Sequence, residues 1–203
     1  MKHLARAGKS CEAKTACKAI PELGLPCDVI TIAEAALVIA AHHFVASHLR
    51  QQIKRGTCLG ITTIYLQKAA PGAKVYTLEG CPETSGIANE TFTKAGLNDI
   101  DLITGNFNET LPAVIDKLAE LDFVFVDGNH QKDATLKYFD WCLPKVHENS
   151  LLIFDDIYWS EGMKEAWNEI KAYPRVTATI DLFWIGLVFF KGGRVKEDFL
   201  IRI

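Results

Sequence analysis

The sequence predicts an α/β fold in which helices cover both faces of a doubly wound, mostly parallel sheet. Short β-rich runs alternate with helical stretches from Gly56 onward, which is the order that builds such sheets. The runs FVFV (123–126) and LLIF (151–154) are continuously apolar, as parallel strands buried on both faces are. Two later runs follow each other without room for a helix, so we expect them to pair as an antiparallel hairpin.

The individual elements follow from local patterns. Strands are expected where β-branched and aromatic residues cluster, and helices where amphipathic stretches end near glycine or proline. The predicted strands are 74–79, 100–104, 123–126, 151–154, 176–182 and 186–191. One predicted helix begins at residue 62 or 63. The other predicted helices span 82–95, 109–121, 133–146 and 161–173.

Length and composition restrict the class of protein. A chain of 203 residues with 49% apolar and 23% charged residues is typical of one soluble globular domain. The net charge of -3 gives no basic field for nucleic acid, and no apolar run is long enough for a membrane span. Six cysteines without a CxxC pair argue against a zinc site and favour reduced thiols in the cytoplasm. A homo-oligomer is left open.

Ligands of such sheets bind at the carboxyl ends of the strands, which makes the glycine turn at 56–63 a candidate site. Cys58 replaces the second glycine of a dinucleotide fingerprint, and the ending of a phosphate-binding loop is missing. Glu79 ends the next strand, where a carboxylate can accept both ribose hydroxyls. This combination favours a nucleoside without a pyrophosphate. The alternative is a tight turn made by Gly56 and Gly60, with Glu79 capping a helix.

Acidic residues end the two apolar strands. Asp127 follows FVFV, and Asp155 and Asp156 follow LLIF, so neighbouring strands would bring these carboxylates to about 5 Å from one another. They must then take up protons, pair with cations or bind a metal, and oxygen ligands suit Mg²⁺. The alternative is that Asp127 orients its loop while Asp155 or Asp156 caps a turn. His130 is a candidate general base or a structural hydrogen-bonding residue.

Aromatic residues follow the second acidic run. Tyr158, Trp159 and Trp184 are candidates for the wall of a pocket that binds a planar or apolar substrate. We expect Trp159 at the rim of that pocket and Trp184 in the core.

Together, the motifs GTCLGITT, VYTLEG, ITGNF, FVFVDGNH and LLIFDD resemble the class I S-adenosylmethionine-dependent methyltransferases, and within them the small O-methyltransferase-like group. The resemblance covers about residues 56–191. It implies a Rossmann-like seven-stranded sheet with the last strand antiparallel, and methyl transfer from S-adenosylmethionine to an oxygen of a small hydroxylated acceptor. A noncatalytic binding or scaffolding protein with the same fold is the alternative.

The resemblance also implies roles for individual residues. The implied cofactor-binding residues are Gly56, Thr57 and Gly60 at the methionine end, Glu79 at the ribose, Asn106 and Phe107 at the adenine, and Asp127. In metal-dependent members, an aspartate and an Asp-Asn pair bind Mg²⁺ at positions that match Asp127 and Asp155-Asp156. A lysine base stands in those members where His130 stands here, so His130 and Asp127 are the implied catalytic residues.

The segment before Gly56 departs from the family. Members of the family carry a hydrophobic strand here that ends in an acidic residue, and that residue helps fix the methionine part of the cofactor. In this chain, residues 51–55 read QQIKR, and Lys54 stands at the position of the acidic residue. A central strand would bury these charges without partners. We therefore expect residues 1–55 to form an atypical helical segment, poorly packed or disordered, and residues 56–203 to form the domain.

Three explanations of the missing strand are open. The apolar stretch 36–45 supplies the strand through a long connection, the chain is a divergent member with weakened cofactor binding, or the coding frame has slipped upstream of Gly56.

Overall fold

One eight-stranded sheet organises the residues that this computed structural model describes, 49–97 and 99–202. The strands are β1 (Gln51–Arg55), β2 (Lys74–Glu79), β3 (Ile100–Thr104), β4 (Leu121–Val126), β5 (Val146–Phe154), β6 (Ala178–Asp181), β7 (Gly186–Phe189) and β8 (Glu197–Leu200). The helices are α1 (Ile61–Ala69), α2 (Pro82–Lys94), α3 (Phe107–Lys117), α4 (Lys132–Cys142) and α5 (Glu161–Ala172), and a 3-10 turn spans Leu143–Lys145.

The sheet order is β3-β2-β1-β4-β5-β7-β6-β8. Strands β1 to β5 pair in parallel, and β7 runs antiparallel to both of its neighbours, β5 and β6. From β1, the chain adds β2 and β3 on one side of the sheet and then β4 and β5 on the other side. The crevice above the ends of β1 and β4 is therefore the topological switch point, where ligands of such sheets bind.

Two hydrophobic clusters lie on the two faces of the sheet. Successive residues of β4 divide between them: Val124 packs in one cluster with Ile53 and Leu152, and Phe123 packs in the other with Leu151. This alternation is what a strand covered on both faces requires. The predicted doubly wound α/β class and the C-terminal hairpin are therefore confirmed.

Several element boundaries differ from the prediction. Helix α3 begins two residues earlier, because the Asn106 side chain accepts a hydrogen bond from the Asn108 amide and caps the helix. It ends at Lys117 rather than at 121, since Leu121 already belongs to β4. The sheet has eight strands rather than seven, because Glu197–Leu200 pairs in parallel with β6 at the edge.

The segment QQIKR is the central strand, contrary to prediction. Each residue of β1 has a partner in β2, and Gln52 to Arg55 also have partners in β4. A strand supplied by 36–45 is therefore wrong, since β1 occupies its place, although 36–45 itself lies outside the described residues. The segment predicted at 1–55 lies mostly outside them too, and its last five residues belong to the sheet. Divergence and a slipped frame both stay predictions.

The Arg55 side chain is fully buried between two aromatic rings. Its guanidinium carbon lies 4.3 Å from the centre of the Phe107 ring and 3.9 Å from that of Tyr138, and Nη1 donates to the Gly128 carbonyl at 2.6 Å. Burial lowers the pKa of Arg55, and the neighbouring Tyr138 partly offsets this effect. Nε and Nη2 find no hydrogen-bond partner within the described part of the chain. Stacking on aromatic faces is how the sheet accommodates this cation.

Within residues 49–97 and 99–202, every helix falls short of the length and apolarity needed to cross a bilayer.

Candidate functional site

The ends of β1, β2, β4 and β5 meet at one edge of the sheet. Their last residues are in register, so the residues that follow stand side by side: Gly56, Asp127 and Asp155, with Glu79 at the end of β2. This arrangement follows directly from parallel pairing, and it brings the main sequence-predicted candidates together above the topological switch point.

Protein contacts account for both glycines of the turn. Gly56 adopts φ +84°, and a Cβ there would stand 2.0 Å from the Asp127 carbonyl oxygen. Gly60 adopts φ +83°, and a Cβ there would stand 2.5 Å from the Phe92 ring. Both positions therefore exclude any side chain, because the turn packs closely against β4 and α2.

Three donors at the start of the turn already have protein partners. The amides of Gly56 and Thr57 both donate to the Leu78 carbonyl, at 2.9 and 3.1 Å. The Thr57 hydroxyl is buried and lies 2.7 Å from the Thr77 hydroxyl. What Gly56 presents beyond these contacts is its carbonyl oxygen.

Glu79 is held by two backbone amides. Its Oε2 accepts from the Cys58 amide at 2.9 Å, and its Oε1 accepts from the Cys81 amide at 3.0 Å. A carboxylate offers about four lone-pair positions, so two remain for the hydroxyls of a ligand. The carboxylate is thus fixed in orientation by the amides of the turn and of Cys81, the residue before α2, and it keeps acceptor capacity for a ligand.

An aromatic ring lies beside Gly80, the residue that follows Glu79. The Phe107 ring comes within 3.8 Å of the position that a Cβ on Gly80 would take, next to Glu79. The Asn106 side chain, predicted to lie beside the adenine, uses its oxygen to cap α3. Glu79 and Phe107 thus provide a hydroxyl acceptor and a flat apolar surface at one strand end.

A buried lysine neutralises Asp127. The Lys54 side chain is 1% exposed, and its Nζ lies 3.0 Å from Asp127 Oδ2 and 2.8 Å from the Gly56 carbonyl oxygen. The ammonium also lies 4.3 Å from the centre of the Phe125 ring. Lys54 therefore does have partners, and they are supplied by the turn and by β4.

The other two aspartates are balanced differently. Asp156 Oδ2 lies 3.3 Å from His130 Nε2. Burial raises the pKa of Asp155 to about 7, and the charges of Asp127 and Asp156 add to this rise. The cluster is thus balanced by the Lys54 ammonium and by a proton on Asp155, which are two of the three outcomes that crowded carboxylates allow.

The predicted Mg²⁺ site at Asp127, Asp155 and Asp156 does not fit this geometry. The Lys54 ammonium already occupies one carboxylate of the set. Across the described residues, no group of three or more His, Cys, Asp or Glu side chains is arranged to hold a metal ion. In the described residues, two of these carboxylates pair instead with the side chains of Lys54 and His130.

His130 and Asp156 form a carboxylate-imidazole pair. Both lie on tight turns at strand ends, where Asn129 and Asp156 adopt φ near the left-handed region, at 49° and 55°. His130 Nε2 is 4.0 Å from Asp127 Oδ1, farther than from Asp156, so Asp156 is the nearer orienting group. A carboxylate that orients an imidazole and stabilises its protonated form is a common arrangement for a general base.

Exposed aromatic side chains lie near this pair. The Trp159 ring is 6.0 Å from the His130 ring and the side chain is 65% exposed, and its place at a pocket rim stays a prediction. The prediction that Trp184 lies in the core is wrong, since it is 48% exposed in the β6–β7 turn. Trp184 instead packs edge-on against Phe183, which stacks on Tyr158.

A family model described as a methyltransferase domain matches residues 53–157, which is 105 of the 203 residues. The chain belongs to this methyltransferase family. The match begins inside β1 and runs to the residue after Asp156, so it includes the turn, Glu79, Asp127 and His130.

Individual relatives agree with this assignment. The O-methyltransferase imqG of Aspergillus flavus is 26% identical over 115 residues, which cover 54% of this chain and 46% of imqG. The chain spans about half the length of the curated relatives it matches.

Solved structures share the fold. The O-methyltransferase of Bacillus cereus, in complex with S-adenosylhomocysteine, has a TM-score of 0.67 at 22% identity, with 93% of each chain covered. The O-methyltransferase TomG of Streptomyces achromogenes, in complex with S-adenosylmethionine, has a TM-score of 0.69 at 20% identity, with 89% of each chain covered. These similarities confirm the predicted Rossmann-like methyltransferase fold.

Sequence reasoning missed the roles of Lys54, Arg55 and Tyr138. A signal for Lys54 was present, because a cation at the end of β1 stands beside an acidic residue at the end of β4 once the strand order is assumed. The Arg55–Tyr138 contact had no comparable signal, since Tyr138 is one of several aromatic residues on α4.

Asp155 makes stability depend on pH in a definite direction. Its folded pKa of about 7 lies above the ordinary 3.8, so the folded chain holds an extra proton between these values. The contribution of this residue to the free energy of unfolding falls as pH rises through that window. We expect Asp155→Asn to gain stability relative to wild type as pH rises from about 4 to about 7, as measured by urea unfolding across this range. An equal pH slope in both proteins would contradict this assignment.

Proposed function

We propose that this chain is an S-adenosylmethionine-dependent O-methyltransferase that acts on a small hydroxylated molecule. The observation that carries the proposal is the Glu79 carboxylate, fixed by two amides at the switch-point end of β2 beside Phe107, in a chain of the methyltransferase family. The cofactors in the Bacillus cereus and Streptomyces achromogenes structures support the choice of S-adenosylmethionine.

The residues fit the nucleoside half of this cofactor. Glu79 has lone pairs for the two ribose hydroxyls, and Phe107 offers a flat surface for the adenine. At the methionine end, Gly56 and Asp127 supply acceptors, although Lys54 engages both. When bound, the cofactor supplies a methyl group on a sulfonium, which is a good leaving group.

The chain's own part in the reaction is to align the acceptor and to take its proton. With the Nε2 side of His130 directed at Asp156, the imidazole accepts the hydroxyl proton at Nδ1. Asp156 holds the ring in place and stabilises the positive charge that the ring gains. We propose that Asp127 binds the Lys54 ammonium and so helps to hold the turn, and that no step of the reaction uses Mg²⁺.

The aromatic rim supports a planar or apolar acceptor. Trp159 stands next to His130, and the Phe183–Trp184 pair exposes further ring surface. An acceptor that lies against these rings would direct its hydroxyl toward the histidine. The noncatalytic scaffold is less favoured, because a scaffold needs no oriented imidazole.

We expect Glu79→Gln to weaken binding of S-adenosylhomocysteine by about tenfold or more, because one carboxylate acceptor for the ribose is lost. Isothermal titration calorimetry measures the affinity, and circular dichroism checks the fold. Glu90→Gln, a change at an exposed residue of α2, is the matched control. The proposal fails if wild type binds neither S-adenosylhomocysteine nor S-adenosylmethionine.

Removal of the proposed general base, His130, should slow methyl transfer without loss of cofactor binding. We expect His130→Gln to lower the rate of methyl transfer by about 100-fold or more, because general-base catalysis contributes about that much. Asp156→Asn should lower the rate less and shift its pH profile. A panel of small phenols and catechols with radiolabelled S-adenosylmethionine provides the readout. His147→Gln is the control, since His147 pairs with Asp122 at the start of β5. A full rate in His130→Gln would exclude this role.

A further inference from the structure

We infer that Lys54 is a specificity-determining residue whose ammonium group takes the place of the cofactor's α-ammonium group. In consequence, the site recognises the nucleoside half of an S-adenosyl ligand and gains little from the ammonium of its amino-acid half. The inference rests on the proposed function and deepens it, because it concerns which part of the ligand the chain binds.

Lys54 holds the acceptors that the turn presents at its methionine end. Its Nζ donates to the Gly56 carbonyl at 2.8 Å and to Asp127 Oδ2 at 3.0 Å, and the Arg55 carbonyl lies at 3.4 Å. A protein ammonium thus has the three-acceptor environment that an ammonium group seeks. A ligand ammonium directed at Gly56 and Asp127 would meet a like charge already in place.

The lysine is also difficult to displace. Its side chain is 1% exposed and runs along β1, where the ammonium packs over the Phe125 ring. Displacement would break a charge-assisted hydrogen bond in a poorly hydrated place, and the lysine is tethered to the site that it fills. A free ligand competes with this tethered cation at a disadvantage.

The nucleoside contacts are independent of Lys54. Glu79 and Phe107 belong to β2 and α3, and neither is a hydrogen-bond partner of the Lys54 ammonium. The charges at the two ends also differ, since the Lys54 ammonium lies at Gly56 and Asp127 whereas Glu79 is anionic. The chain therefore binds the nucleoside half of the ligand and excludes the ammonium group of the amino-acid half.

Two ligands test this division in the wild-type protein. S-Adenosylhomocysteine carries the amino-acid group, and 5′-methylthioadenosine has the same adenosine thioether without it. We expect the dissociation constants of the two ligands, measured by calorimetry, to lie within about threefold of each other. If both acceptors bound the ligand's ammonium group, the affinity for S-adenosylhomocysteine would instead be about tenfold or more higher.

Lys54→Met removes the ammonium and keeps the length of the side chain. We expect this variant to bind S-adenosylhomocysteine about tenfold more tightly than wild type does, with the affinity for 5′-methylthioadenosine unchanged. Lys54→Gln is a second variant should the first not fold. Lys74→Met is the matched control, because Lys74 lies on the neighbouring strand and its ammonium pairs with Asp101 at the surface.

The outcomes separate this inference from the proposed function. A preference of about tenfold or more for S-adenosylhomocysteine in wild type overturns the inference and leaves the proposed function standing. Selective loss of S-adenosylhomocysteine binding in Lys54→Met also overturns it, because Lys54 would then pair with the ligand's carboxylate. Binding of neither ligand by wild type overturns both.

Discussion

The ion pair between Lys54 and Asp127 is the interaction on which the candidate site depends. It joins the ends of β1 and β4, the two strands that flank the topological switch point, and it also ties down the carbonyl of Gly56. A lysine left alone in a central strand would cost several kcal/mol. Because Asp127 stands at the neighbouring strand end, the same lysine instead balances part of a crowded carboxylate cluster.

This pair changes the chemistry of the strand ends. With Asp127 engaged by a protein cation, the carboxylates no longer form a set suited to a divalent metal, and Asp156 is directed to His130. His130 thus stands at the position where the resemblance to metal-dependent relatives implies a lysine base. The Lys54 ammonium pairs with Asp127, where the same resemblance implies a metal. The fold of the family is retained, while the groups at the switch point are combined in another way.

Much of the fold was predictable because local patterns specify it. The apolar runs of β4 and β5, the turn before β2 and the cap at Asn106 are all visible over a few residues. Strand β1 was not predictable in this way, since the partner of Lys54 is 73 residues later in the chain. Strand β8 was missed because all four of its residues are exposed, and an exposed edge strand lacks the apolar alternation that identifies strands. The sequence also predicted which candidate residues meet at the strand ends, but their partners required the three-dimensional arrangement.

A double-mutant cycle measures how strongly Lys54 and Asp127 depend on each other. The free energy of unfolding is measured in urea for wild type, Lys54→Met, Asp127→Asn and the double variant. The ion pair predicts that the two single changes are non-additive, with a coupling energy of about 1.5 to 3 kcal/mol, because each leaves the partner's charge uncompensated. A coupling energy within about 0.5 kcal/mol of zero would contradict the account, since Lys54 would then be accommodated in β1 without Asp127.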